Sequence, residues 1–277
     1  MLLKFTKMQG LGHDFMVVNG VTQKIFFSSE LIKRLSNRHF GIGFDELLLV
    51  EPPYDPEMDF HLRTFSALGD EIKFCSHGSL CCARFVIDHH LINQTDLVIS
   101  TESGALNLKV NDDDTVTLNV GIPDFSPKIF SKDRSVFESK VYSLPLKNSQ
   151  NQDISAVFLH APYAVVFLDK LDTSLIERLS LQIENHDFFS QKMHVVFVQV
   201  INQHLIKFQF DKKVASFEDF AYASAAAVTC GIYQGRLQNA VNVRALDDEW
   251  TVAWDGLGQK VSITSEPERI YEGTVCL

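Results

Sequence analysis

The chain contains no uninterrupted apolar run of the roughly 18 residues that a membrane-spanning helix needs. Its opening stretch, MLLKFTKMQGLGHDF, lacks the apolar centre and small-residue cleavage site of a secretory leader. Both absences point to a cytoplasmic protein. Basic clusters are missing as well. The 25 Lys and Arg residues are outnumbered by 35 Asp and Glu, the net charge is −10, and no Lys/Arg patch of the kind that follows a phosphate backbone occurs. Neither nucleic acid nor a membrane is expected as a partner. Cysteine is sparse, and five residues, with Cys81 and Cys82 adjacent, do not make the disulfide framework of a secreted domain. Cys75, Cys81 and Cys82 follow a C-x5-C-C spacing with no second C-x2-C or H-x3-H pair behind it, which argues against a zinc ribbon. Low-complexity tracts are also absent.

What is present is 277 residues at 45% hydrophobic composition, enough for one large domain or two moderate ones. Short alternating or apolar runs dominate: LLKFTKM, ELLLVEP, DFHLRTF, DLVIST, ALNLKV, TVTLNVG, AVVFLD, HVVFVQV, LIKFQF and WTVAW all read as strands. Helices are predicted over 28–38, 77–91, 173–185 and about 219–233, the last ended by a turn at Gly235. The second and fourth are apolar almost all round, which marks them as buried. Each follows one series of strands and precedes another. The predicted fold is therefore α+β, with two similar halves that each wrap a curved, mainly antiparallel sheet around one central helix. The boundaries are 1–120, with 264–277 returning to the first half, and 121–263 for the second. The polar stretch 130–153 reads as a loop.

The segments KFTKMQGLGHDF, RHFGIGFDELLLVEPP, CSHGSLCCARF, ISTESGALNL, VVFVQV and GIYQG occur in the order found in diaminopimelate epimerase, and the chain resembles that family from end to end. The resemblance implies a homodimeric, cofactor-independent epimerase of lysine and peptidoglycan precursor biosynthesis. In that chemistry one cysteine thiolate removes the α-proton of an amino acid and a thiol on the opposite face returns one. A helix N-terminus lowers a thiol pKa towards neutrality and offers N–H groups to a carboxylate, so two helix starts facing one substrate suit the reaction.

Residue by residue, the resemblance places the first cysteine at Cys75, a possible base. The second motif, A-C-G-T-G, falls on Asp219, Phe220, Ala221, Tyr222 and Ala223, so the second cysteine becomes Phe220, which exchanges no proton. Substrate positions depart too. His13 stands for the asparagine of G-L-G-N-D-F, Ser66 for that of F-N-A-D-G, Ala161 for that of G-N-P-H with Tyr163 in place of its histidine, and His194 for that of R-V-N-V-G-F. A Glu-Arg pair becomes Asp211 and Lys212, keeping a cation but losing the bidentate fork. C-G-N-G becomes Cys75, Ser76, His77 and Gly78.

These substitutions favour a diverged binding or regulatory paralogue without two-cysteine activity. The alternative is an isomerase of another amino acid that pairs Cys75 with Tyr222, His194 or Asp211, and diaminopimelate epimerase itself comes third. Phe220 and Tyr222 are expected to fill space that a substrate once used, and Cys81, Cys82 and Cys230 to be core thiols. Asp45 and Glu71 are expected to serve turn or loop hydrogen bonding. His13, His77, His160 and His194 cluster at ligand positions. No cofactor and no metal site are expected, because no pair of histidines has local ligand spacing, although His13, His77 and His194 are the candidates if one exists.

Overall fold

The computed structural model describes residues 2–73, 76–147, 151–210, 220–245 and 248–277. It is a mixed α/β protein, mostly β-sheet, with four α-helices among the described residues. The chain divides into two compact units, Met1–Asn119 with Thr264–Leu277, and Val120–Ile263. No helix among the described residues is long and apolar enough to cross a membrane.

In the first unit, strand β1 (Leu2–Gly10) pairs antiparallel with β2 (His13–Asn19), and helix α1 (Ser29–Ser36) leads to β3 (Glu46–Glu51), which lies parallel to β2. β4 (Phe60–Ser66) returns antiparallel to β3 and pairs with the short β5 (Glu71–Ile72). Helix α2 (Ser76–Asp88) then crosses to β6 (Asp96–Thr101), parallel to β4, and β7 (Gly104–Val110) and β8 (Val116–Gly121) follow antiparallel.

The second unit repeats this order. After the short β9 (Tyr142–Pro145), β10 (Asn151–Leu159) pairs antiparallel with β11 (Ala161–Phe167). Helix α3 (Thr173–Ile183) leads to the parallel β12 (His194–Asn202), and β13 (Leu205–Gln209) is antiparallel to it. Helix α4 (Phe220–Gln234) crosses to the parallel β14 (Ala240–Ala245), with β15 (Asp248–Ala253) antiparallel. β16 (Val261–Ser265) follows, and β17 (Glu268–Cys276), which belongs to the first unit, pairs antiparallel with β1.

The two crossover helices are buried because they have no polar face. Ser76 through Ala83 are all buried in α2, as are Phe220 through Gly231 in α4. Their hydroxyls bond within the helix: Ser79 Oγ donates to Ser76 O (2.6 Å), Ser224 Oγ to Ala221 O (2.7 Å) and Thr229 Oγ1 to Ala225 O (2.8 Å). By contrast, α1 and α3 are amphipathic and capped. Ser28 and Asp172 accept hydrogen bonds from Leu31 N and Leu175 N, and the buried faces carry Ile32 and Leu35, and Ile176, Leu179 and Ile183.

Two expectations about element limits are corrected. Helix α2 stops at Asp88, short of 91, because His90 adopts a left-handed backbone (φ 52°) and Leu91 N turns back to Val86 O (2.9 Å). The stretch 130–153 is more than a loop. It contains β9, whose Tyr142 and Leu144 point inward and pair opposite Ile154 and Gln152, too short an alternation to stand out among polar neighbours. At the other end of its prediction, α4 closes as expected, with Gly235 at φ 78° and Arg236 N bonded to Gly231 O (2.9 Å).

Candidate functional site

In the first unit the candidate positions gather around the β1–β2 turn and the start of α2. Gly10 and His13 face each other across the turn, and Leu11 (φ 52°) and Gly12 (φ 77°) both take left-handed backbone, the geometry of a tight two-residue hairpin. This fixes His13 at the first residue of β2 with its side chain buried. The next residue, Asp14, anchors the loop before β3. Arg38 grips it through two hydrogen bonds of 2.8 Å and also donates to Asp45 Oδ1 (2.7 Å). Lys7 Nζ donates to Asp14 Oδ2 (2.6 Å) and to Gly43 O. Asp14 and Asp45 brace one another, Asp45 N donating to Asp14 Oδ1 (2.9 Å) and Asp14 N to Asp45 Oδ2 (3.2 Å). Burial alone would raise the Asp14 pKa, but the hydrogen bonds from Arg38 and Lys7 outweigh it and hold the carboxyl well below its usual range.

His77 is the second residue of α2, almost wholly buried, and its ring centre lies 5.3 Å from that of His13 at 49°. His77 Nδ1 is 3.5 Å from Ser76 Oγ, and His13 Nδ1 is 3.7 Å from Asp45 Oδ2. Burial, with the neighbouring His13 adding to it, pushes the His77 pKa down to about 3. Burial also lowers that of His13, against the pull of Asp45 and Asp14. Gly78 is buried in the same first turn. Ser66 ends β4 and is taken up by a turn, its hydroxyl accepting from Asp70 N (3.3 Å) and its carbonyl from Gly69 N (2.9 Å). Cys75 lies outside the described residues. Deeper in the helices, Cys81, Cys82 and Cys230 are fully buried, and burial raises each thiol pKa, that of Cys82 to about 12, so none is a thiolate at neutral pH. Of the two acidic residues expected in turns, Asp45 is placed so, whereas Glu71 pairs with Arg63 on the neighbouring strand through bonds of 2.7 and 2.9 Å.

In the second unit the corresponding region is aromatic. Phe220, the first residue of α4, is buried, its ring 4.5 Å from Phe210 at 63° and 5.7 Å from Phe208 at 67°. Phe208 also meets Trp250 edge-on at 5.9 Å, and Trp250 Nε1 donates to Ser224 Oγ (3.0 Å) inside α4. Ala221 is fully buried. Tyr222 is buried with its pKa pushed up to about 12, and its ring lies 5.1 Å from that of the exposed His160. His160 sits between β10 and β11 with φ 64°, a backbone that favours glycine, and the G-N-P-H motif places its glycine here. Ala161, partly buried, opens β11. Two residues on, the buried Tyr163 faces the exposed His194 across the parallel β11–β12 ladder, with ring centres 5.4 Å apart. Asp211 and Lys212 lie outside the described residues.

The structure thus brings together His13 and His77, Tyr222 and His160, and Tyr163 and His194, while Ser66 faces its own turn. Sequence reasoning missed Phe210 and Phe208 as the partners of Phe220; the alternation in LIKFQF, which sends Ile206 and Phe208 to one buried face, was the available signal. Among the described residues no group of three or more His, Cys, Asp or Glu side chains is placed to hold a metal ion.

The repeated unit, a sheet with one buried crossover helix, is a fold also found among solved proteins. A hydroxyproline epimerase from Agrobacterium vitis superposes with a TM-score of 0.63 at 13% identity, over 99% of this chain and 92% of that one. A phenazine biosynthesis protein of the PhzF family from Bacillus anthracis gives 0.61 at 15% identity over the whole of both chains, and methylitaconate-delta-isomerase gives 0.66 at 13% identity over 99% and 95%. The sequence pattern of the diaminopimelate epimerase family matches residues 5–126. That match covers less than half of the chain, and over nearly its whole length the chain shares the fold of these solved proteins.

Proposed function

We propose that this protein is a diverged member of the group that does not carry out two-cysteine proton exchange and acts as a cytoplasmic binding or regulatory paralogue. The observation that supports this most is Phe220. At the helix start where the resemblance puts the second proton carrier, a phenyl ring is packed into an aromatic group with Phe210 and Phe208. In the first unit, His77 supports the same reading, because a buried imidazole held neutral adds no positive charge at the start of α2. The repeated order of pairings is accounted for by an ancestral duplication in which α2 and α4 are the two central helices. The homodimer and a small amino-acid-like ligand or protein partner belong to the same proposal. Incubation with L,L- or meso-diaminopimelate in deuterated water tests it, since loss of function requires that no inversion occurs.

A second reading is favoured by one contact. Tyr222 lies with its ring against that of the exposed His160 near the start of α4, which puts a phenol and an imidazole, both of proton-exchanging type, side by side. Paired with Cys75, the base that the resemblance implies, it would make an isomerase of another amino acid. Deuterium uptake by a different amino acid, lost on Tyr222→Phe, would select it.

A further inference from the structure

A groove of about 830 Å³ opens in the first unit at the end of α2 remote from His77. It is lined by Lys4 of β1, Val17 and Asn19 of β2, Phe85 and His89 at the end of α2, and Glu272 of β17. Its wall is built. The rings of Phe85 and His89 lie 4.2 Å apart, and His89 Nε2 is 3.2 Å from Thr6 Oγ1 and 3.7 Å from Glu272 Oε1. Across the β1–β17 ladder Lys4 faces Thr274 and Thr6 faces Glu272. Lys4 and Glu272 are therefore diagonal neighbours on one face, about 7–8 Å apart along the backbone. Glu272 contacts His89 and Arg269 rather than Lys4.

A cation and a carboxylate set one diagonal step apart, beside an apolar wall, match a zwitterion with an apolar body. We infer that this groove binds a free α-amino acid with an apolar side chain, its carboxylate at Lys4, its ammonium at Glu272 and its side chain against the exposed Leu2 and the ring of His89 that lies against Phe85. The site shares no residue with the positions described above and stands whether or not proton exchange is lost.

Isothermal titration of the full chain with L-leucine tests the inference, with 4-methylpentanoate, which lacks the ammonium, as the comparison. The expected result is saturable leucine binding with Kd below about 1 mM, and weaker binding of 4-methylpentanoate. Lys4→Met and Glu272→Gln, both at exposed positions, are each expected to weaken leucine binding at least about tenfold while leaving the melting temperature unchanged. Leucine binding undiminished in both variants would place the ligand elsewhere and overturn the inference. So would the absence of saturation up to about 10 mM.

Discussion

Phe220 meets Phe210 edge to face, with ring centres 4.5 Å apart, at the first turn of α4. The contact makes Phe220 part of the core of its unit, so position 220 now serves packing. Phe220→Cys is expected to cost about 2–4 kcal/mol in urea unfolding, the range for emptying an aromatic-sized space. It is not expected to restore epimerisation, because Ala221, Tyr222 and Ala161 remain at the positions where the resemblance puts substrate contacts, and catalysis depends on placement within about 1 Å. Recovery of inversion by this single change would show that the substrate site had survived.

His77 sets a pH dependence. Its pKa falls from 6.5 to about 3 on folding, so below 6.5 the unfolded chain binds a proton that the folded chain does not. The stability this burial preserves is complete above pH 6.5 and is lost as pH falls towards 3, by up to about 1.4 kcal/mol per pH unit. His77→Asn is expected to flatten that slope between pH 6 and about 4. Equal slopes for the two proteins in urea titrations would remove His77 from the explanation.

His160 holds a left-handed backbone on a residue with a Cβ. His160→Gly and His160→Ala both delete the ring against Tyr222, but only glycine relieves the backbone. The glycine variant is expected to be more stable than the alanine variant by about 1 kcal/mol, measured by chemical unfolding.

Asp14 is the hub of the polar network beneath His13. Asp14→Asn leaves the buried Lys7 amine without its carboxylate and is expected to cost about 3 kcal/mol. Asp45→Asn, at a more exposed carboxylate whose cationic partner Arg38 is itself exposed and which also accepts from Asp14 N, is expected to cost less than about 1 kcal/mol. Comparable losses in the two variants would contradict the division of roles.

Much of the fold was legible because its signals are local. The alternating strands, the apolar faces of α2 and α4, the Ser28 cap and the Gly235 stop each lie within a few residues. β9 escaped because four residues of alternation sit in a polar stretch. The candidate site was legible only through the motifs: GLGHDF announces its two-residue turn, and RHFGIGFDE contains Arg38, Gly43 and Asp45, which all converge on Asp14 or Lys7. What could not be read was contact between distant segments. Nothing local joins His13 to His77, which meet only after strands β2 to β5 and helix α1 have been packed, whereas Phe220 and Phe210 stand ten positions apart and LIKFQF carried the only sign of their contact. The left-handed His160 was hidden for a different reason: histidine carries no signal for that backbone, and only the motif's glycine marks it.

The central claim is that no second proton carrier stands at the start of α4. The direct measurement is proton magnetic resonance of L,L-diaminopimelate incubated with the protein in deuterated water, following both the α-hydrogen signal and the appearance of the meso isomer. The account predicts no meso isomer at any time. Conversion to an equilibrium mixture at an ordinary enzymatic rate, about 1 per second or faster, would contradict it.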